Sequence, residues 1–155
     1  MNPLKKLVGQ TAIYGLSSVI GRLLNYLLVP LYTRYFLPAE YGVVTELYAY
    51  VAFLVIILTY GLETAFFRFS QKDNDVKVVY STALISLIVS SLVFVILMFA
   101  SSSSIANWMG YAGYTEYIEW FAIIIALDAI SSISFAKLRE QNKATRFAII
   151  RLINI

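Results

Sequence analysis

Long unbroken apolar runs, rather than alternation, organise this chain. Segments such as VAFLVIIL (51–58) and LVFVILMF (92–99) are apolar on every side. A membrane strand would alternate apolar and polar residues over about ten positions, so a β-barrel is excluded. A helix needs about 20 mainly apolar residues to cross a ~30 Å hydrocarbon core. Four stretches meet that requirement, at about 7–35, 38–67, 78–100 and 117–136, and a fifth begins at Phe147 and runs to Ile155. The pattern predicts an all-α, polytopic transmembrane bundle with four full spans and the start of a fifth. Residues 1–155 read as the N-terminal portion of one membrane domain in a longer, transporter-sized protein. The first stretch is too long for a cleaved signal peptide, whose apolar region covers 7–15 residues.

Local signals refine the picture. Pro38 suits the first position of a helix, and Glu40 falls in that first turn, near the positive end of the dipole. Only a residue or two would then join the first two helices. Pro30 lies inside the first helix and is expected to kink it or to free the carbonyl of Tyr26. The run from Ser101 to Ser104 reads as the outer cap of the third helix, which puts Ser102 in an accessible loop. Gly9, Gly15 and Gly21 recur every six residues, a weak sign of close helix packing.

Composition sharpens the class. Of 155 residues, 60% are hydrophobic and 14% charged, whereas soluble domains are about half apolar and a quarter charged. Cysteine and histidine are both absent. That removes thiol chemistry, thiolate metal sites and the commonest general base. No phosphate-binding loop, zinc-protease motif or paired carboxylates replace them, so the chain reads as a non-enzyme without a cofactor. The net charge of +3 is too small and too dispersed for a nucleic-acid partner.

Charge placement carries more information than its sum. Nine basic residues, Lys5, Lys6, Arg68, Lys72, Lys77, Lys137, Arg139, Lys143 and Arg146, fall on one side of the predicted topology, and Arg34 alone falls on the other. Basic excess marks the cytoplasmic side, so the N-terminus is expected inside. Trp108, Tyr111, Tyr114, Tyr117 and Trp120 then form an aromatic belt at the outer interface.

Four polar residues within or near the spans are candidate functional groups. Arg22 lies midway along the first helix, where an arginine costs about 2.5–3.5 kcal/mol on insertion scales. It shares a helical face with Thr11, Gly15, Ser18, Asn25, Val29 and Thr33, spaced by threes and fours. Leu23, Leu27, Ile20 and Ile13 occupy the opposite face. Arg22 is either a cavity-lining cation for an anionic substrate or a structural arginine paired with a carboxylate. Asp128 lies mid-membrane in the fourth helix, with Ser131 and Ser132 one turn on. It is either an ion or proton site, or the fixed partner of Arg22. Glu63 ends a stripe with Thr45, Tyr48, Ala52, Val55 and Thr59 near the inner end of the second helix. Arg68 beyond it reads as an interfacial anchor. The third helix, with only serines as polar groups, is expected to be the most lipid-exposed, while the other three turn their polar stripes inward.

The run 9–69 resembles the start of bacterial polysaccharide flippases of the Wzx type, within the multidrug, oligosaccharidyl-lipid and polysaccharide exporter superfamily. The resemblance rests on the first-helix glycine followed by Arg22, on PLYTRYFLPAEYG (30–42) and on GLETAFFRF (61–69). Beyond residue 69 it extends in hydropathy only. It implies twelve to fourteen helices in two lobes around a cationic central cavity. It implies alternating-access movement of an undecaprenyl-pyrophosphate-linked oligosaccharide to the outer leaflet, in the bacterial cytoplasmic membrane. Arg22 and Asn25 would then contact substrate phosphate or sugar, with Glu63 and Asp128 as further candidates. Membrane lipid would be a partner, and polysaccharide assembly proteins candidate partners. Two other classes stay open: a cation-coupled multidrug-type exporter, favoured by Asp128, and a non-transporting membrane scaffold subunit.

Overall fold

A computed structural model of the chain describes residues 3–72, 75–111 and 113–153. Six α-helices follow in order: α1 (Pro3–Tyr35), α2 (Pro38–Thr59), α3 (Leu62–Lys72), α4 (Val76–Trp108), α5 (Thr115–Glu140) and α6 (Ala144–Ile153). No strand occurs among the described residues. Among the described residues, four spans are long and apolar enough to cross a membrane: Thr11–Tyr35, Pro38–Lys72, Val76–Trp108 and Thr115–Glu140. The protein is a multi-pass, all-α membrane protein. The last two residues of the fifth predicted stretch, 154 and 155, lie outside the described residues.

Helix boundaries depart from the sequence reading at two places. The second predicted helix, 38–67, is broken. Tyr60 and Gly61 adopt positive φ, 34° and 73°, and end α2. Glycine takes this left-handed conformation without the Cβ clash that other residues meet, so a Tyr-Gly pair is a natural stop. The 22 residues of α2 span about 33 Å at 1.5 Å each, enough to cross the hydrocarbon alone. After the stop, α3 is a distinct amphipathic helix that packs against α4.

At the other end, the serine run does not cap the third span. α4 continues through Ser101 to Ser104 and ends at Trp108, with Met109 as its C-cap. Ser102 is buried, and the single hydrogen of its hydroxyl has two acceptors in reach, Glu119 at 3.1 Å and the Phe99 carbonyl at 3.0 Å. Serine hydroxyls can bond backward within a helix, so a serine cluster need not stop one. At the first hairpin the expectation and the structure agree. Glu40 accepts the Leu37 N–H at 3.1 Å, and Pro38 opens α2. α1 runs on through Pro30, and Thr33 Oγ1 donates to the Val29 carbonyl beside the proline.

The chain divides into two compact units, Glu46–Ala136 and the combination of Met1–Thr45 with Lys137–Ile155. In the first, the core has two clusters. Phe66, Ala83, Leu87, Ile133 and Ala136 join α3, α4 and α5. Val51, Leu58, Ile125 and Ala129 join α2 to α5, with Phe94 of α4 and Phe121 packed against them. The buried face of α5 holds Ala122, Ala129 and Ala136, each 0% exposed and seven residues apart. Seven residues are close to two helical turns, so these alanines form one line along which neighbouring helices approach closely. Of the glycines proposed for that role, Gly9 and Gly15 do not fill it: a Cβ added at either would meet nothing within 4 Å.

In the other unit, α1 packs on α6. The ring of Tyr14 meets that of Phe147 edge-on, 5.1 Å between centroids, and Phe147 and Ala144 are buried.

Exposure along the helices overturns one expectation. α4 is not the most exposed span: Ala83, Leu87, Ser91, Ser102 and Ala106 are buried on it. α1 is the most exposed, with none of its described residues buried. A run of serines and small residues is what close packing requires in a bilayer, where apolar bulk gains nothing by leaving lipid.

Candidate functional site

Arg22 and Asn25 stand one turn apart on α1, three residues on from each other, and both side chains are exposed. Arg22 lies one residue from the centre of the span Thr11–Tyr35. The polar stripe is a real surface feature of α1: Thr11, Gly15, Arg22, Asn25 and Thr33 are exposed and Ser18 is half-buried. Ser18 and Thr33 are locally satisfied, Ser18 Oγ donating to the Tyr14 carbonyl at 3.1 Å and Thr33 Oγ1 to the Val29 carbonyl at 3.0 Å. Arg22 is the costly member, because a guanidinium has five donors and no helical carbonyl can satisfy it. The apolar face opposite is also exposed, Leu23 at 54% and Leu27 at 59%. The helix therefore offers one surface for apolar contact and one for a charged or hydrated partner.

Glu63 and Asp128 belong to the other compact unit. Glu63 sits in the first turn of α3, half-buried, where the helix dipole favours a carboxylate. The break at Tyr60 and Gly61 creates that turn, so Glu63 is a helix-start residue and not the end of a continuous stripe. The stripe itself is mostly surface: Thr45, Tyr48 and Ala52 are exposed, while Leu47, Val51 and Leu58 form the buried face of α2. Asp128 is exposed on α5, next to the buried Ala129, and has no hydrogen-bond partner among the described residues of its unit. Ser132, one turn on, donates to the Ala129 carbonyl at 2.7 Å. A carboxylate at that depth needs water, a cation or a donor to offset its desolvation.

Two polar ties were not anticipated. Tyr111, in the connection after α4, donates its hydroxyl to Glu46 of α2, which Tyr50 also approaches at 3.5 Å. The bond to Glu46 holds the Tyr111 hydroxyl protonated above the usual phenol range, and partial burial and the charges of Glu46 and Tyr50 push the same way. Ser102 and Glu119 make the second tie, between α4 and α5. Both carboxylates lie at the same end of this unit as the exposed Trp108, Tyr114, Tyr117 and Trp120. The Tyr114 and Tyr117 rings stack there at 5.2 Å. Glu46 and Glu119 are acidic residues near span ends, and their partners are 65 and 17 residues away in sequence.

Ser91, 1% exposed in mid-α4, has no hydrogen-bond partner for its hydroxyl among the described residues. No group of three or more acidic residues able to hold a metal ion occurs among the described residues.

Comparison with known proteins agrees with this architecture. A family model described as polysaccharide biosynthesis protein matches residues 31–155. The match includes Glu63 and Asp128 and begins after Arg22 and Asn25. It also covers α4, α5 and α6, where the resemblance read from sequence was one of hydropathy alone. No curated protein and no solved structure matches the chain. With the match extending over most of its length and a helical membrane fold throughout, the chain belongs to the polysaccharide biosynthesis protein family.

Proposed function

We propose that this protein is a flippase that translocates a lipid-linked oligosaccharide, of the undecaprenyl-pyrophosphate type, across the bacterial cytoplasmic membrane. The glycan would serve a surface polysaccharide such as lipopolysaccharide. The observation that carries the reading is Arg22, a guanidinium near the middle of a span in a family devoted to polysaccharide biosynthesis. Arginine matches phosphate oxygens with two parallel hydrogen bonds, and a diphosphate is the charged part of such a substrate. Asn25, one turn away, is placed to bind sugar hydroxyls. In cells lacking the protein, the lipid-linked glycan should accumulate on the cytoplasmic leaflet, where impermeant glycan-modifying reagents reach it only in inverted vesicles. Equal accessibility from both sides in those cells would sink the proposal.

A second reading has one specific observation in its favour. Asp128, exposed and without a hydrogen-bond partner within its unit, suits a cation or proton. It would make the protein a cation-coupled exporter, or supply the coupling step of the flippase. Dependence of transport on a sodium or proton gradient, removed by Asp128→Asn, distinguishes that role from a purely structural carboxylate.

The orientation proposed with this function places the N-terminus in the cytoplasm. Within the unit Glu46–Ala136, Arg68, Lys72 and Lys77 cluster where α3 meets α4, and Glu46, Glu119 and the aromatic residues occupy the far end. The chain has no cysteine, so single cysteines are clean probes. Ser102 is buried and unsuitable, whereas Asn107 and Gln71 are exposed. Asn107→Cys should be labelled by an impermeant thiol reagent on intact cells, and Gln71→Cys only after permeabilisation. The opposite pattern would invert the topology.

A further inference from the structure

The groove between α2 and α5 gathers oxygen atoms that have no proton to give. In α2, Thr59 Oγ1 donates to the Val55 carbonyl at 2.8 Å, with the Ile56 carbonyl also in reach at 3.1 Å. In α5, Ser132 Oγ donates to the Ala129 carbonyl at 2.7 Å. A hydroxyl has one hydrogen and two lone pairs, so each of these oxygens, once turned to the backbone, can only accept. Asp128 stands four residues before Ser132, on the same side of α5, and its ionised carboxylate is also a pure acceptor.

Packing contacts bring the oxygens of the two helices to one edge. Tyr48 of α2 meets Phe121 of α5 edge-on, 5.6 Å between ring centroids. Further along both helices, Val51 and Leu58 pack with Ile125 and Ala129. Residue numbers rise together along this contact, so α2 and α5 run parallel. The register of Tyr48 on Phe121 then sets Val55 level with Asp128 and Thr59 level with Ser132. At 3.6 residues per turn, Asp128 and Ser132 each lie within about 20° of Phe121 around α5, and Thr59 within about 20° of Tyr48 around α2. All three side chains therefore line the edge that Tyr48 and Phe121 mark, and all belong to the compact unit Glu46–Ala136. Asp128 makes no hydrogen bond or ion pair within that unit, whose basic residues, Arg68, Lys72 and Lys77, lie on α3 and at the start of α4.

We infer that Asp128, Thr59 and Ser132 form a binding site for a sodium ion. Carboxylate and hydroxyl oxygens presenting lone pairs are the ligands that hard cations take. A single carboxylate balances a single positive charge, which favours a monovalent ion over a divalent one. Thr59 and Ser132 are half-buried and Asp128 is exposed, so water reaches the open side and completes the coordination shell. A proton would need the carboxylate alone, whereas sodium engages both hydroxyls as well. The site rests on the reading of Asp128 as a cation group and extends it by naming the ion and two further ligands.

The test is binding of radioactive sodium to the purified full-length protein in mild detergent, at fixed pH and ionic strength. The wild type should bind sodium, and excess potassium should not displace it. Asp128→Asn should abolish binding. Thr59→Val and Ser132→Ala each remove one oxygen and should weaken binding by about tenfold, the scale of one lost polar interaction. Thr59→Ser keeps the oxygen and loses the methyl group, so it should bind as the wild type does; a packing role for Thr59 would give the reverse order of Ser and Val. Absence of sodium binding in the wild type would overturn the inference, as would unchanged binding in both Thr59→Val and Ser132→Ala. Binding to the purified protein needs no transport, so its failure leaves the flippase reading and a proton-driven step standing. Failure of lipid-linked glycan to accumulate in cells lacking the protein would leave the sodium site standing.

Discussion

Replacing Arg22 with alanine is expected to abolish surface polysaccharide while leaving the amount of protein in the membrane near normal. The side chain is exposed on α1, so its removal takes away no core packing. Removing a mid-span charge also relieves about 2.5–3.5 kcal/mol of insertion cost, which favours the helix in lipid. Any loss of transport would therefore come from a missing contact to the substrate. Arg22→Lys keeps the charge without the bidentate fork and should retain part of the activity. If Asp128 serves only to neutralise Arg22, Arg22→Ala combined with Asp128→Asn should be well folded and still inactive. Cell-surface polysaccharide, measured alongside membrane protein level, reads the outcome. Normal export by a well-expressed Arg22→Ala protein would show that the arginine is structural.

A second large effect is expected at Ala129. Its side chain is fully buried where α2 and α5 meet, in the cluster with Val51, Leu58 and Ile125. Ala129→Phe would force a ring into a line of helix contact that has room for a methyl group. Overpacking of this kind costs about 1–3 kcal/mol and more where backbones must separate. In a bilayer that contact is the main source of stability, because no hydrophobic gain offsets its loss. The variant should lower the thermal midpoint of the detergent-solubilised protein by several degrees, or be degraded in cells. Leu127→Phe is the matching control. It lies two residues away but is 59% exposed, and it should behave as wild type. Equal stability of the two variants would contradict the packing assigned to α5.

The contrast between these residues shows how far a sequence of this kind can be read. The four spans were legible because lipid imposes a length and a composition on each segment separately. α1 needs no neighbour to be recognised as a membrane helix, and the wide polar stripe around Arg22 and Asn25 follows from the helical repeat alone. The family signature was carried in the same local way, by PLYTRYFLPAEYG and GLETAFFRF, and the matched region extends it over residues 31–155.

What depended on tertiary structure was which faces pack and where polar groups find partners. Both faces of a membrane helix can be apolar, so hydropathy does not distinguish a lipid-facing leucine from a buried one. That is why α4 reads as peripheral from its composition yet buries Leu87 and Ser91, and why α1 reads as a packed helix yet stays exposed. The alanine line of α5 is present in the sequence at seven-residue spacing, but alanine is equally at home in lipid. Only the approach of Val51, Leu58 and Leu87 makes it an interface. The stop at Tyr60 and Gly61 is intermediate: the glycine permits it, while the packing of Phe66 against Ala83 and Leu87 selects it. Bonds such as Tyr111 to Glu46 join residues far apart in sequence, and no local pattern encodes a partner 65 positions away. Each residue's solvent, lipid or water, is set by its own segment; its neighbours are set by the fold.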